Sequence, residues 1–372
     1  MLDKIRDVEV YMPIFRARAP VFDSSMVMKY GGSVVVRVIT EGGLEGYGMT
    51  FGEPVGEYIV KTLREEVIGH DPLAHEDIWN GMNAAIRSAG RKGVALLGMS
   101  AIDIAVWDLR GKLLKQPVFR LLGGTKRKIP CYASVGFLSM PEDECVELSK
   151  KCVEDGYKTL KIKIGYDGGN NIRADARRVR AVRQAVGDEI DIIVDANGIF
   201  DAATAIRFTE EAGDCKICLF EEPTHADDIP GLARVRAATK IPVASGENEY
   251  TKYGCRDLVM AGAVDVVQFD ITRVGGFTEM IKVAAISQAF NLKLAPHFWP
   301  QFSAHIMSAA SNGLYLEVFP RTGGDSPPAN QIITNQPPVE NGYYELPELP
   351  GLGLEYNLDY LKAHRAEYSP FV

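Results

Sequence analysis

Residues 158–165 read KTLKIKIG, a run in which polar and apolar side chains alternate before a glycine. This pattern predicts a β-strand. Residues two apart share one face of a strand, so Lys161 and Lys163 point the same way, about 6–7 Å apart. Two neighbouring ammonium groups repel each other, which lowers the pKa of one lysine and makes it a candidate base. The plainer alternative is an edge strand that carries lysines against aggregation.

Similar strand patterns occur in the chain before and after this strand. Short apolar runs alternate with amphipathic helical patterns from residue 129 onward, and we predict strands at 130–136, 158–164, 190–196, 217–222, 241–247, 264–270, 293–297 and 314–318. Eight strand–helix units within about 200 residues are typical of a TIM-type barrel, an α/β fold. We therefore assign residues 126–335 to a barrel domain.

The chain before the barrel has a different order of elements. Strand patterns at 4–14, 33–40 and 44–50 precede helical patterns at 56–68, 73–90 and 95–115. Strands followed by helices, without alternation, predict a small α+β domain, which we place at residues 1–125. Residues 336–372 are rich in Pro, Gly and Tyr, and we expect them to fold back onto that first domain.

Composition and charge exclude several classes of protein. The 372 residues carry a net charge of −8, and no basic tract is interleaved with aromatic residues, so nucleic acid is not an expected partner. The first residues are too charged for a signal peptide, and no apolar run reaches membrane length. We expect a cytoplasmic protein without a membrane partner, and a homo-oligomer.

The cysteine pattern does not predict a metal or redox centre. Cys215 and Cys218 form a C-x-x-C, but no second pair or histidine lies at ligand spacing. We interpret all six cysteines as reduced structural thiols.

Acidic residues recur at the predicted strand ends, where barrel enzymes place their chemistry. Asp195, Glu221 and Glu247 follow one another at intervals of 26 residues, one strand–helix unit each. Three such carboxylates around one mouth would repel each other unless a cation lay between them, and this ligand set suits Mg²⁺. A salt bridge to a neighbouring strand is the alternative for any single acid. The neighbouring Glu222 should face the other way and support a ligand or form a salt bridge.

Two later strand ends carry a second group of ionisable residues. Asp270 precedes His297 by one unit, and a carboxylate beside an imidazole fixes its tautomer and raises its pKa. His297 is therefore a candidate acid and base, although a satisfied buried histidine is the usual alternative. Glu317 could donate a hydrogen bond if desolvation raises its pKa, or it could be a salt-bridge partner.

Taken together, these motifs resemble the enolase superfamily and, within it, the mandelate racemase subgroup (mandelate racemase/muconate lactonizing enzyme family), with its acid-sugar dehydratases. The resemblance spans the chain and rests on Lys161-Ile162-Lys163, Asp195 with Asn197, Glu221-Glu222-Pro223, Gly246-Glu247-Asn248, Asp270 followed by Arg273-Val274-Gly275-Gly276, Pro296-His297 and Leu316-Glu317. It implies a modified (β/α)7β barrel with an N-terminal capping domain.

The resemblance also implies a role for each residue. Asp195, Glu221 and Glu247 would bind Mg²⁺, with Asn197 near the substrate or metal. Lys163 would be the base on one face, while Lys161 lowers its pKa and touches the substrate carboxylate. His297, paired with Asp270, would act on the other face, and Glu317 would hydrogen-bond a carboxylate oxygen. Enolase-superfamily sites of this kind stabilise an ene-diolate.

Two outcomes share this first step. Loss of a β-hydroxyl would make the protein a sugar-acid dehydratase, which we favour, and reprotonation on the opposite face would make it a racemase or epimerase. A Schiff-base aldolase using Lys161 or Lys163 would leave the three acids unexplained, and a non-catalytic barrel should have lost at least one ionisable group. Substrate choice is expected in the first domain, in loops at residues 16–30 and 50–58. Side chains of these loops could close over the barrel mouth or pack inside the cap: Phe22, Met26, Lys29, Tyr30 and Phe51. Phe298 and Trp299 could narrow the pocket or belong to the core.

Overall fold

The computed structural model describes residues 3–320 and 329–364. A barrel sheet forms its centre. The strands are β6 (Lys128–Val135), β7 (Thr159–Lys163), β8 (Asp191–Asp195), β9 (Ile217–Glu221), β10 (Val243–Ser245), β11 (Val266–Val267), β12 (Lys293–Leu294) and β13 (Leu316–Val318). They are parallel and adjacent in chain order from β6 to β12, and β13 pairs with β6. Gly313 bridges Leu294 on β12, which closes the ring. The predicted TIM-type barrel is confirmed.

Helices cover the outside of this sheet. Within the described residues, seven of them connect the eight strands: α5 (Glu142–Glu154), α6 (Ile172–Val186), α7 (Ala202–Glu211), α8 (Ile229–Ala238), α9 (Thr251–Met260), α10 (Gly276–Ala289) and α11 (Pro300–Ala309). Ile162 and Ile164 pack outward into the core beneath these helices. A separate apolar layer inside the barrel contains Tyr132, Ile193, Leu219, Ala244, Val266 and Ala295. The alternation around Lys161 therefore separates the two cores, as the strand pattern predicts.

The first domain is an antiparallel sheet covered by helices. Strands β1 (Ile5–Tyr11), β4 (Val34–Thr40) and β5 (Glu45–Thr50) form the sheet. The helices are α1 (Glu53–Tyr58), α2 (His75–Ala85), α3 (Val94–Leu113) and α4 (Val118–Leu121). A Cβ on Gly48 would lie 2.0 Å from the Ala101 carbonyl oxygen, so only glycine lets β5 approach α3 this closely.

A β-hairpin occupies the segment for which a loop at 16–30 was expected. Strands β2 (Ile14–Phe22) and β3 (Val27–Gly32) pair with each other, and the strand predicted at 4–14 ends at Tyr11. Pro13 breaks that strand because it cannot donate to a ladder, and the irregular register between residues 16 and 21 obscures the hairpin pattern.

The last described residues contact both domains. They form α12 (Ala329–Ile332), β14 (Val339–Glu340), β15 (Tyr343–Glu345) and α13 (Leu358–Lys362). β15 pairs antiparallel with β6, whereas the Leu352 amide donates to Asp108 of α3 at 2.8 Å and Tyr356 stacks on Tyr47. The domain limits at 125 and 335 stay predictions.

Two smaller expectations concern the whole chain. The six cysteines are free thiols, five buried and Cys218 half-buried. None of the helices in the described part of the chain has both the length and the apolar character that crossing a bilayer requires.

Candidate active site

A row of ionisable side chains lies at the carboxyl ends of adjacent strands. In the parallel register Lys163 on β7 is level with Asp195 on β8, which is level with Glu221 on β9. All three are buried, and Glu247, just after β10, is only 8% exposed. The barrel thus brings together residues that the sequence separates by one unit each.

Lys161 is enclosed by carboxylates. Its Nζ lies 2.7 Å from Glu221 Oε1, 2.7 Å from Glu317 Oε1 and 3.5 Å from Asp195 Oδ2. Burial alone would lower the pKa of this lysine, but Glu221 and Glu317 outweigh burial and hold its pKa well above the ordinary value. Lys161 is therefore charged, and it joins acids from opposite sides of the ring.

Lys163 has its own acidic partner. Its Nζ donates to Asp195 Oδ2 at 2.7 Å and to Asn197 Oδ1 at 2.9 Å. Although burial favours the neutral amine, Asp195 raises the pKa of Lys163 above its ordinary value. Lys161 acts to lower the pKa of Lys163, as expected, but Asp195 outweighs this repulsion and the net shift is upward. Spacing along one strand reveals the neighbouring lysine, but the carboxylate that compensates it comes from the next strand.

Asp270 and His297 form the predicted pair. His297 Nδ1 lies 2.7 Å from Asp270 Oδ2, and Asp270 is fully buried. Burial would lower the pKa of His297, but Glu247 and Asp270 raise it above the ordinary value, in the expected direction. His297 Nε2, at 3.5 Å from Glu247 Oε2, is the ring nitrogen on the side of the acids.

Glu317 takes one of the two forms expected of it. Burial would raise its pKa, but Lys161 and His297 outweigh burial and bring the pKa to about 2. Glu317 is thus a carboxylate that accepts the Phe298 amide at 3.1 Å, and it cannot donate a hydrogen bond. Of the two alternatives for Glu317, its contact with the ammonium group of Lys161 supports the salt-bridge partner and not the protonated donor.

The acid residues fit a divalent cation by their chemistry. Asp195, Glu221 and Glu247 offer only oxygen ligands, as Mg²⁺ prefers, and Glu221 Oε2 is buried without a hydrogen-bond partner in the described part of the chain. As the side chains stand, no three His, Cys, Asp or Glu groups within residues 3–320 and 329–364 lie close enough to hold a metal. Burial and the charge of Asp195 raise the pKa of Glu221 to about 8. This shift reflects repulsion between the two carboxylates, which a bound cation would relieve.

The neighbouring Glu222 does not take part in the row. It is buried with a positive φ of 40°, and its Oε1 accepts from Asn248 Nδ2 at 2.9 Å. This contact places Glu222 beside the residue that follows Glu247, in agreement with a supporting position.

Aromatic residues surround the mouth. The ring centroid of Phe51 lies 5.8 Å from Phe298 and 5.1 Å from Trp299, and Phe298 lies 5.2 Å from Phe319. Phe298 and Trp299 have φ angles of 43° and 48°, two successive left-handed residues directly after His297. Phe51 is thus placed beside the site, as expected.

The hairpin tip also reaches the mouth. Ser24 Oγ donates to the Ala196 carbonyl at 2.6 Å, and Phe22 and Ser139 exchange two hydrogen bonds. Met26 and Lys29 are exposed, while the side chain of Tyr30 lies outside the described part. The capping domain therefore touches the barrel on the side of Asp195.

Three residues near the site were missed by the sequence argument. Thr272 donates its amide and its hydroxyl to Asp270, and Thr50 donates to the Thr272 carbonyl. Arg178, fully buried on α6, donates to the carbonyls of Gly136, Phe137 and Met140, which hold the loop after β6. The hydroxyl two residues after Asp270 is a recognisable local signal, whereas nothing in an amphipathic helix marks a buried arginine.

Two family descriptions together match most of the chain. Residues 144–360 match the family described as Enolase C-terminal domain-like. Residues 5–123 match the Mandelate racemase / muconate lactonizing enzyme, N-terminal domain. The chain belongs to the mandelate racemase/muconate lactonizing enzyme family of the enolase superfamily.

Individual relatives span several reactions. A D-galactarolactone cycloisomerase of Agrobacterium fabrum is 31% identical, over 97% of this chain and 99% of its own. An arabinonate dehydratase of Saccharolobus solfataricus is also 31% identical, over 86% of this chain and 87% of its own. The crystal structure of a racemase from Streptomyces coelicolor A3(2) with bound magnesium has a TM-score of 0.90 and 28% identity, covering 97% of this chain and 100% of that chain. Other relatives are named as dehydratases of L-talarate/galactarate, L-rhamnonate and D-gluconate.

Proposed function

We propose that this protein is a Mg²⁺-dependent enzyme that removes the proton α to a carboxylate and dehydrates a sugar acid to a 2-keto-3-deoxy acid. One observation carries the proposal. Lys163 on β7 and the Asp270–His297 pair beside β12 lie on different sides of the barrel mouth, and three buried acids follow the strands between them. Two proton-transfer groups around an acid cluster suit enolisation of a carboxylate.

The acids define where the cation would be held. Asp195, Glu221 and Glu247 are the candidate ligands, and the unpartnered Oε2 of Glu221 supports this assignment. Bound there, Mg²⁺ would supply the positive charge that lowers the cost of a second negative charge on the substrate carboxylate.

The lysines would act on the carboxylate end of the substrate. Lys161, held by Glu221 and Glu317, presents a fixed ammonium group for a substrate carboxylate oxygen. Lys163 would accept the α-proton once a cation takes up the charge of Asp195, which otherwise raises the pKa of Lys163. Asn197 Oδ1 orients its Nζ. Because Glu317 is ionised, its role in this proposal is to orient Lys161 and the Phe298 amide.

The imidazole would complete the dehydration. Lys163 takes the proton from C2, and the C2–H electron pair moves into the carboxylate to give the ene-diolate. That electron pair then returns to form the C2–C3 double bond as the C3–O bond breaks. His297 gives its proton to the departing hydroxyl, which leaves as water. The resulting enol takes up a proton at C3 to give the 2-keto-3-deoxy acid. Asp270 stabilises the protonated ring of His297 before that step.

Racemisation or epimerisation is the second candidate. Its support is the same pair of groups, since a proton removed on the Lys163 side can be replaced from the His297 side. The magnesium-bound racemase of similar fold agrees with it. A Schiff-base aldolase gains no support, because it leaves the three buried acids at the strand ends without a role.

A screen of mono- and diacid sugars in D₂O tests the proposal. Dehydration would give a 2-keto-3-deoxy acid, epimerisation would give the C2 epimer, and either should require added Mg²⁺. If no acid of the panel shows product or α-proton exchange with Mg²⁺ present, the proposed function is wrong. Gel filtration tests the predicted homo-oligomer, and the predicted cytoplasmic location needs fractionation of cells.

A further inference from the structure

The carboxylate of Asp270 is held by Thr272, a residue without a role in the function proposed above. We propose that Thr272 is a positioning residue for the Asp270–His297 pair, and that the capping domain supports it through Thr50. The inference rests on the proposed function, because it concerns the face of the site on which His297 acts.

Thr272 fixes one edge of the carboxylate. Asp270 Oδ1 accepts the Thr272 amide and the Thr272 Oγ1, both at 2.7 Å, while Oδ2 contacts His297 Nδ1 at 2.7 Å. Asp270 and Thr272 are fully buried, so water does not replace these bonds. Because Oδ1 accepts two hydrogen bonds, the carboxylate plane cannot turn without breaking one of them. Oδ2 therefore stays in place, and the His297 ring that contacts it keeps its orientation.

The capping domain reaches this residue directly. Thr50, the last residue of β5, is fully buried, and its Oγ1 donates to the Thr272 carbonyl at 2.8 Å. The next residue, Phe51, stacks on Phe298, which follows His297 in the chain. Two consecutive residues of the cap therefore contact the chain beside both members of the pair.

The Lys163 side has no comparable support from these two residues. Lys163 is held by Asp195 and Asn197, which both belong to the barrel. Loss of the Thr272 or Thr50 hydroxyl should therefore affect one face of the site and spare the other.

The test is the ratio of two proton exchanges. C2-epimeric pairs of aldonic acids (gluconate with mannonate, galactonate with talonate) are incubated with the Mg²⁺-loaded protein in D₂O. Loss of the α-proton signal gives an exchange rate for each epimer. His297→Asn and Lys163→Ala identify which epimer presents its proton to which group. The ratio of the two rates cancels differences in the amount of folded protein.

Loss of the hydroxyl should change this ratio selectively. Thr272→Val should slow exchange on the His297 face about tenfold to a hundredfold, the usual effect of losing a hydrogen bond to a buried charge. Thr272→Ser should restore the wild-type ratio, and Thr50→Val should slow the same face roughly two- to fivefold through a neutral bond.

A matched control lies at the same junction. Thr278 also donates its hydroxyl to a buried aspartate across the cap and barrel, Asp103, at 2.5 Å. Thr278→Val should leave the ratio unchanged even where it lowers the melting temperature. The inference is overturned if Thr272→Val or Thr50→Val slows both faces equally, or if Thr278→Val shifts the ratio as much. If Thr272→Val does not fold, Thr50→Val decides. Absence of exchange by the wild-type protein with every pair would instead overturn the proposed function.

Discussion

The two sides of the candidate site are held together by different forces. On the lysine side, Lys161 and Lys163 are fixed by charge, through contacts of 2.7 Å to Glu221, Glu317 and Asp195. On the histidine side, Asp270 Oδ1 is fixed mainly by the amide and hydroxyl of Thr272, while Arg273 Nε lies farther away, 3.5 Å from Oδ2. The first side depends on acids that would also bind the cation, whereas the second depends on a bond to the capping domain. A change in metal should therefore disturb the lysines first, and a change at Thr50 should disturb the histidine first.

Removal of a metal ligand should disable both sides of the site, because both act on the same substrate carboxylate that the cation would stabilise. Chelation of Mg²⁺, or the substitution Glu221→Gln, should reduce turnover and exchange on both faces to background because the substrate dianion loses its counter-charge. Isothermal titration should show weakened Mg²⁺ binding by Glu221→Gln. Full activity in the presence of a chelator would contradict the assignment of the metal site.

Separate removal of each proton-transfer group should affect only the face of the site on which that group acts. His297→Asn should lower dehydration by about 10²–10⁴-fold, the usual contribution of general acid–base catalysis, yet still exchange the proton that faces Lys163. Lys163→Ala should lose that exchange. If His297→Asn binds Mg²⁺ and substrate but exchanges neither epimer, then His297 is the abstracting base and Lys163 is not.

The lysine side should also be the more costly one to disrupt in the metal-free protein. Lys161→Met leaves Glu221 and Glu317 buried without their ammonium group, which should lower the free energy of unfolding by about 3–5 kcal/mol. Urea denaturation in chelator measures it. Lys282→Met is the matched control. Its Nζ lies 3.0 Å from both Glu76 and Glu279, but the lysine is partly exposed, so it should cost less than about 1 kcal/mol. Equal losses would mean that Lys161 is not held by charge.

A third contact between the capping domain and the barrel, from Asp103 to Thr278, lies away from both faces of the site. Burial raises the pKa of Asp103 from 3.8 to about 7, although it accepts two bonds from Thr278. Because the pKa of Asp103 is higher in the folded protein than in the unfolded chain, protonation of Asp103 favours folding. This contribution to the free energy of unfolding is complete below pH 3.8 and is lost as the pH rises through about 7. Melting temperatures at pH 5 and pH 8 should differ less in Asp103→Asn than in the wild-type protein. An unchanged difference would refute a titrating Asp103.

The barrel was predictable because its signals are local. Alternation around Ile162 and apolar runs such as 190–196 follow directly from strand geometry, and equal spacing places Asp195, Glu221 and Glu247 at one level. The ionisation of Glu317 was not predictable, because it depends on Lys161, which lies 156 positions earlier in the chain. The bond from Thr50 to Thr272 joins residues 222 positions apart, so no local pattern could reveal it.

The two left-handed residues after His297 have a consequence for laboratory evolution. Each such conformation costs about 1–3 kcal/mol for a residue other than glycine. Trp299 is only 4% exposed, and truncating a buried tryptophan costs roughly 3–5 kcal/mol, so glycine at this position would lose more than it gains. Phe298 is half-buried and has less to lose. Selection for heat resistance alone should therefore accumulate glycine or asparagine at position 298, and the survivors should trade turnover for durability.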